Sequence, residues 1–271
     1  MKNHFYPFVL IFIIFFHSSC GQTTTVSSDN AWGILEGKLI AKKNSKDSIA
    51  KKYWNYLNEK LPEKLLTKYI SKLQLFSDGT QEELGAITPL NTNNTTWEIA
   101  LDTTDFNFKN NNQKYILDYT HTIIHEFGHL LTLNPEQVTI TKDEYQDDKK
   151  GYLTSEGYAK KDSYLGKFVQ KFWKTKLLNK WDKIDTIEDE NKKLEQLYDF
   201  YLDNKNCFLT DYAAESPEED IAEAWTFFVL NNKPTHNKIK HKKVLFFYNF
   251  PELVAYRNQI RKNLKSDILL N

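Results

Sequence analysis

Ile123-Ile124-His125-Glu126-Phe127-Gly128-His129-Leu130-Leu131 sets the pattern H-E-x-x-H inside an apolar run. On an α-helix, positions i and i+4 project from one face, one above the other, so His125 and His129 can reach a single metal ion. Glu126 falls on the rim of the same face. A carboxylate there takes a proton from water beside the metal, which is the arrangement of a zinc hydrolase. The competing reading is a buried helix whose histidines merely satisfy hydrogen bonds. Around the motif, Tyr115, Ile116, Leu117, Ile123, Ile124, Phe127, Leu130 and Leu131 recur at helical spacing. They predict an amphipathic helix over about Gln113 to Leu131, with its apolar face opposite the histidines. Leu133-Asn134-Pro135 gives the stop, because proline cannot continue the ladder. Gly128 costs about 1 kcal/mol against alanine within a helix. Its presence predicts close approach of another backbone element beside the metal.

The rest of the chain reads as mostly helical with a small sheet. Ile49 to Leu61 and Glu63 to Leu73 carry helical spacing, with Pro62 opening the second. Leu73 to Phe76 and Trp97 to Leu101 read as short strands. Helices are predicted around Tyr164 to Phe172 and Leu194 to Tyr201, then at Glu218 to Leu230 and Glu252 to Leu264. The expected fold class is therefore α+β, a mostly helical zincin-like metallopeptidase fold with a small β-sheet beside the H-E-x-x-H helix. A sheet edge beside that helix suits pairing with an extended peptide.

At the amino terminus, Lys2 precedes an apolar run from Phe5 to Phe16, followed by His17-Ser18-Ser19-Cys20-Gly21. The run falls short of the about 20 residues that span a bilayer, but it suits the core of a secretory signal. Small residues before Cys20 resemble the lipobox of bacterial lipoproteins, with His17 where leucine is typical. The resemblance implies cleavage before Cys20 and a diacylglycerol on its sulfur. Two acyl chains would anchor the chain to a membrane. The alternative is an ordinary signal cleaved nearby, and both readings export the protein to the cell envelope. The expected organisation is a signal peptide at 1–19, a lipidated Cys20 and polar tether at 20–47, and a single catalytic domain at 48–271. The part at about 48–86 of that domain is helical.

Composition excludes several classes. Lys plus Arg equals Asp plus Glu at 36 each, which argues against a nucleic-acid partner. Lys233 to Lys243 is a local basic excess and reads as a solvated loop. Cys20 and Cys207 are the two cysteines, so a disulfide framework and a cysteine-based metal cluster are both excluded. Cys207, beside Phe208 and Leu209, reads as a small core residue. The expected assembly is a monomer.

A catalytic zinc normally takes three protein ligands and leaves one position open. Thr132 and Pro135 stand where the metzincin pattern needs glycine and histidine. Glu156 stands at a thermolysin-like distance, but Lys160 occupies the position of its acidic support. A better candidate lies in Tyr212-Ala213-Ala214-Glu215-Ser216-Pro217-Glu218-Glu219-Asp220-Ile221-Ala222-Glu223. Ser216-Pro217-Glu218-Glu219 is also a capping box, with serine at the N-cap and glutamate three residues on. The residues alone leave capping and ligation both open, with Glu215, Glu218 and Asp211 as further carboxylates. His121, one turn before His125, lies too far along the axis to share the ion and reads as a structural or cleft-wall residue.

His125-Glu126-Phe127-Gly128-His129 followed by Tyr212, Glu219 and Ala222-Glu223-Ala224 resembles the catalytic domain of lethal-factor-type toxins. It is closer to the bacterial zinc-binding metallopeptidases known as substrate-import-associated zinc metallohydrolase lipoproteins. Phe246-Phe247-Tyr248-Asn249-Phe250-Pro251-Glu252-Leu253-Val254 is similar to those lipoproteins too. The resemblance runs from about Ile87 to the end. It implies one Zn2+ ion held by His125, His129 and Glu219, with Tyr212 near the metal and Glu223 holding a ligand imidazole through its free N–H. Asp220 and Ile221 stand where the toxins have aromatics. The implied activity is peptide-bond hydrolysis with Glu126 as general base and Tyr212 as a donor to the developing oxyanion. Two alternatives remain: a non-catalytic zinc lipoprotein of a nutrient-uptake system, and an amide or ester hydrolase acting on a non-peptide substrate.

Overall fold

The computed structural model describes residues 30–264, apart from 78–83, 105, 107, 109–111, 148 and 174–175. In chain order come β1 (Ala31–Leu35), β2 (Lys38–Leu39), α1 (Asp47–Lys60), α2 (Glu63–Tyr69), β3 (Ile70–Phe76), β4 (Gly85–Pro89), β5 (Trp97–Asp102) and α3 (Gln113–Leu133). A small three-stranded sheet follows, from β6 (Val138–Thr139), β7 (Leu153–Thr154) and β8 (Gly157–Ala159). Six helices complete the described chain: α4 (Tyr164–Phe172), α5 (Lys176–Asp185), α6 (Glu190–Asp203), α7 (Pro217–Leu230), α8 (Ile239–Phe246) and α9 (Pro251–Asn263). The fold is the expected mostly helical α+β type. Among the described residues, no helix is long and apolar enough to cross a membrane.

The main sheet has the order β2-β1-β3-β5-β4, with β3 and β5 parallel and the other pairs antiparallel. Trp32 pairs with Leu73, and Leu73 with Ile99, so one apolar row crosses three strands. Strand β5 is buried along nearly its whole length, as a strand with neighbours on both sides should be. Strand β4 forms the outer edge, and Pro89, which lacks an N–H, is tolerated there.

Helix α3 sits between this sheet and α7, and that placement corrects the expected amphipathicity. From Thr122 to Leu133 every residue is buried, the histidines included. A helix covered on both sides has no solvent face, so the apolar stripe inferred from its spacing widens to the whole circumference. Its ends are well satisfied. The Asn112 side chain accepts from the Lys114 N–H at 2.9 Å, and the Asn134 amide donates to Leu130 and Leu131 carbonyls at 2.8 and 3.1 Å.

Three further expectations change. Residues 31–39, placed in the tether, form β1 and β2, where Trp32 and Ile34 alternate inward. The helix expected to run to Leu73 ends at Tyr69, because Ile70 to Phe76 is captured between β1 and β5. The basic stretch read as a solvated loop contains the first part of α8, and Lys243 is fully buried there. It pairs with Asp220 of α7, which also accepts from Trp173 Nε1 at 2.8 Å. The signal and lipidation expectations, including Cys20, fall outside the described residues.

Candidate metal centre

Helix α7 crosses α3 at Gly128, and the contact explains that glycine. A Cβ there would come within 3.0 Å of Trp225 Cδ1 and 3.2 Å of the Ala222 Cα. Backbone of α7 cannot yield as a flexible side chain would, so the close approach depends on the missing methyl. Gly128→Ala is therefore expected to destabilise the fold despite its gain of about 1 kcal/mol in helix propensity. It should also weaken zinc binding by pushing α7 off α3. Thermal melts and chelator competition on the variant check both effects, and unchanged values would count against the contact.

Helix α7 is held at both ends. Ser216 caps the amino end, accepting from the Glu219 N–H at 3.1 Å, with Pro217 in the first turn. Arg257 and Arg261 of α9 donate to carbonyls of Phe228, Val229, Leu230 and Asn231 at the other end. The cap and the proposed ligand are compatible. Ser216 uses the Glu219 backbone, while the Glu219 carboxylate turns towards the histidines instead of closing the capping box.

Glu219 Oε2 lies 2.9 Å from His125 Nε2 and 3.3 Å from His129 Nε2, and the two Nε2 atoms are 3.0 Å apart. Ligand atoms on a tetrahedral zinc with bonds of about 2.0–2.1 Å lie about 3.3 Å from one another. The three side chains are buried and could hold one metal ion. Tautomer chemistry points the same way. Glu223 Oε1 sits 3.1 Å from His125 Nδ1, and with the proton on that nitrogen the neutral ring has its lone pair at Nε2. That lone pair faces a carboxylate oxygen and a second imidazole nitrogen. Only a cation between them, metal or proton, makes the cluster favourable. Glu219 Oε1 and the Tyr212 hydroxyl, both buried, have no hydrogen-bond partner among the described residues.

The electrostatics follow. Burial opposes the charge on His125, but its hydrogen bonds to the Glu219 and Glu223 carboxylates raise its pKa well above the ordinary value. Burial likewise opposes His129, and the Glu219 charge raises it. Burial works against ionised Glu219, yet His129 and His125 hold its carboxyl well below the usual range. Without metal, the imidazoles keep protons to higher pH than free histidine, and zinc must displace them. Zinc affinity is thus expected to fall as pH drops through and below the raised histidine pKa values, by up to about one decade per unit for each proton displaced. Chelator competition over a series from about pH 8 to about pH 6 would measure it. A flat profile would contradict the proton-filled cluster.

Glu126 lies between the cluster and β4. Burial raises its pKa to about 7, against the pull of His129 and His125, and a backbone hydrogen bond from Ile87 of β4 reaches it. Tyr212 stands in a single 3-10 turn, Tyr212–Ala214, with its ring 5.5 Å from that of His125. Burial, with the nearby charges of Glu219, Glu215 and Glu126, raises its hydroxyl pKa well above the ordinary value. The structure thus brings together His125, Glu126, His129, Tyr212, Glu219 and Glu223.

The other carboxylates considered stand outside the three-ligand group. Glu218 accepts from the Tyr152 hydroxyl at 2.8 Å, Asp211 accepts from the Tyr212 N–H at 3.1 Å, and Glu156 accepts from Ser155 at 3.0 Å. His121 is also outside, with Nε2 3.4 Å from Glu223 Oε1. Thr210 escaped the sequence reading altogether. Its hydroxyl donates to Glu223 Oε2 at 2.8 Å, and no local pattern around a lone threonine signals such a contact.

A family model described as "Putative zinc-binding metallo-peptidase" matches residues 47–266. The chain belongs to this family. Its match covers the sheet from β3 onward and all nine α-helices of the described residues, so the whole centre lies within it. No curated protein and no solved structure matches the chain. For a zinc-binding metallopeptidase family, the buried His125, His129 and Glu219 are a chemically suitable donor set: two imidazoles and one carboxylate.

Proposed function

We propose that this protein is an exported, lipid-anchored zinc metallopeptidase of the H-E-x-x-H…E type, with His125, His129 and Glu219 as ligands and Glu126 as general base. The observation that carries the reading is the meeting of Glu219 with both histidines, beside a buried carboxylate whose pKa lies near 7. Zinc, when bound there, supplies Lewis acidity that polarises a carbonyl and acidifies water.

Glu126 has the placement and proton affinity of a base working near neutral pH. Its carboxylate takes a proton from the attacking water and returns it to the leaving amine. The carboxylate also accepts from the Ile87 backbone N–H. Tyr212 stays protonated, so its hydroxyl can donate to the oxyanion as charge develops. Glu223 holds His125 in the tautomer that presents Nε2 to the metal. Beside this group, β4 is the sheet's edge strand, with no further strand outside it among the described residues. An extended peptide can add its backbone there and lie across Glu126.

Incubating the zinc-loaded protein with a peptide library tests this reading. Cleavage that stops with chelator and returns with zinc is expected. Zinc binding without cleavage of any peptide would overturn the peptidase assignment and leave the metal assignment standing.

A further inference from the structure

Glu223 faces three partners, and how it is shared among them determines how well His125 is held. One oxygen, Oε1, lies 3.1 Å from His125 Nδ1 and 3.4 Å from His121 Nε2. The other, Oε2, accepts from Thr210 Oγ1 at 2.8 Å. The Thr210 hydroxyl has a single proton, given to Glu223, and its oxygen accepts from the Ala213 N–H at 3.0 Å. That hydroxyl is buried and fixed from both sides. It joins the turn bearing Tyr212 to α7, and through Glu223 to the metal helix α3.

We propose that Thr210 is a positioning residue of the metal centre, acting through Glu223 to set the His125 ring. This rests on the zinc reading above. Without the Thr210 hydroxyl, Oε2 loses its anchor and the carboxylate can turn about its terminal bond. Oε1 is then free to settle on His121, one helical turn away on the same face, and to release His125 Nδ1. The imidazole loses both its fixed tautomer and its orientation. Tyr212 is affected as well, because the Ala213 N–H in its turn is left unsatisfied.

Valine has the shape of threonine without its hydroxyl, and serine keeps the hydroxyl without the methyl. Thr210→Val is expected to weaken zinc affinity roughly tenfold in chelator competition, within the range for outer partners of metal ligands. Thr210→Ser should bind nearly as tightly as wild type. In a Glu223→Gln background, Thr210→Val should add little, because both act on one path. A purely packing role would lower the melting temperature of Thr210→Val and leave its zinc affinity, read well below melting, unchanged. That result would overturn the proposal, as would equal losses for valine and serine. If Thr210→Val does not fold, Thr210→Ala against Thr210→Ser carries the same comparison. A wild-type chain that binds no zinc would sink the metal reading itself, and so is distinguishable from failure at Thr210.

Discussion

Glu126→Gln is expected to keep zinc bound and to lose peptide hydrolysis by about 10²- to 10⁴-fold, the usual contribution of a positioned general base. Glutamine fills the same space, and its amide oxygen can still accept from the Ile87 N–H. What disappears is the ability to take a proton. Glu126 is 2 % exposed, and His125, His129 and Glu219 could hold a metal ion without it. The metal should therefore stay, and metal content measured beside turnover separates the two roles. Turnover close to wild type in the glutamine variant would remove Glu126 from the chemistry. Zinc lost together with activity would show instead that Glu126 supports the ligands.

The largest effect on stability is expected at Lys243. Its ammonium and the Asp220 carboxylate are both fully buried and paired, with Trp173 as a third partner. Lys243 Nζ also lies 4.3 Å from the Phe208 ring centre. At neutral pH, Lys243→Met leaves Asp220 buried without its cation, either ionised and unpaired or protonated at a cost, and stability falls by about 3–5 kcal/mol. For a domain of this size, that lowers the melting temperature by roughly 6–20 °C. The deficit should depend on pH. Burial raises the Asp220 pKa to about 6, although Lys243 and Trp173 pull it down. A carboxyl whose folded pKa lies above the unfolded value of about 3.9 costs stability when ionised and recovers it on protonation. Removing Lys243 raises that pKa further. The difference between variant and wild type should thus be greatest at neutral pH and shrink towards pH values of about 5. A constant difference across that range, measured by denaturant titration, would contradict the buried pair as its source.

The metal helix was legible because its signals are local. Two histidines four residues apart, a glutamate and a terminal Asn-Pro need only helical geometry, and Gly128 announced a close neighbour without naming it. The amino end of α7 was legible for a similar reason, since Ser216-Pro217-Glu218-Glu219 writes a helix start into four residues. Assigning Glu219 to the histidines took a family resemblance, because capping and ligation use the same letters. The misreadings share one cause, a partner distant in sequence. Lys243 is buried because Asp220 sits against it, which no hydropathy window detects. Ile70 to Phe76 leaves the helix because strands at 31–35 and 97–102 pair with it. The two-residue β2 is held by β1 alone. Thr210 is the extreme case, a single side chain whose importance lies entirely in what it touches.

The central claim is that two imidazoles of α3 and one carboxylate of α7 hold a single zinc ion. Zinc K-edge X-ray absorption on the loaded full chain tests it most directly, with Glu219→Gln and its neighbour Glu218→Gln measured in parallel. Metal analysis should give one zinc per chain, and the spectrum nitrogen and oxygen neighbours at about 2.0–2.1 Å, two of them imidazole, and no sulfur. Glu218→Gln should reproduce it, and Glu219→Gln should not. A sulfur neighbour, or a Glu219→Gln spectrum identical to wild type, would contradict the account.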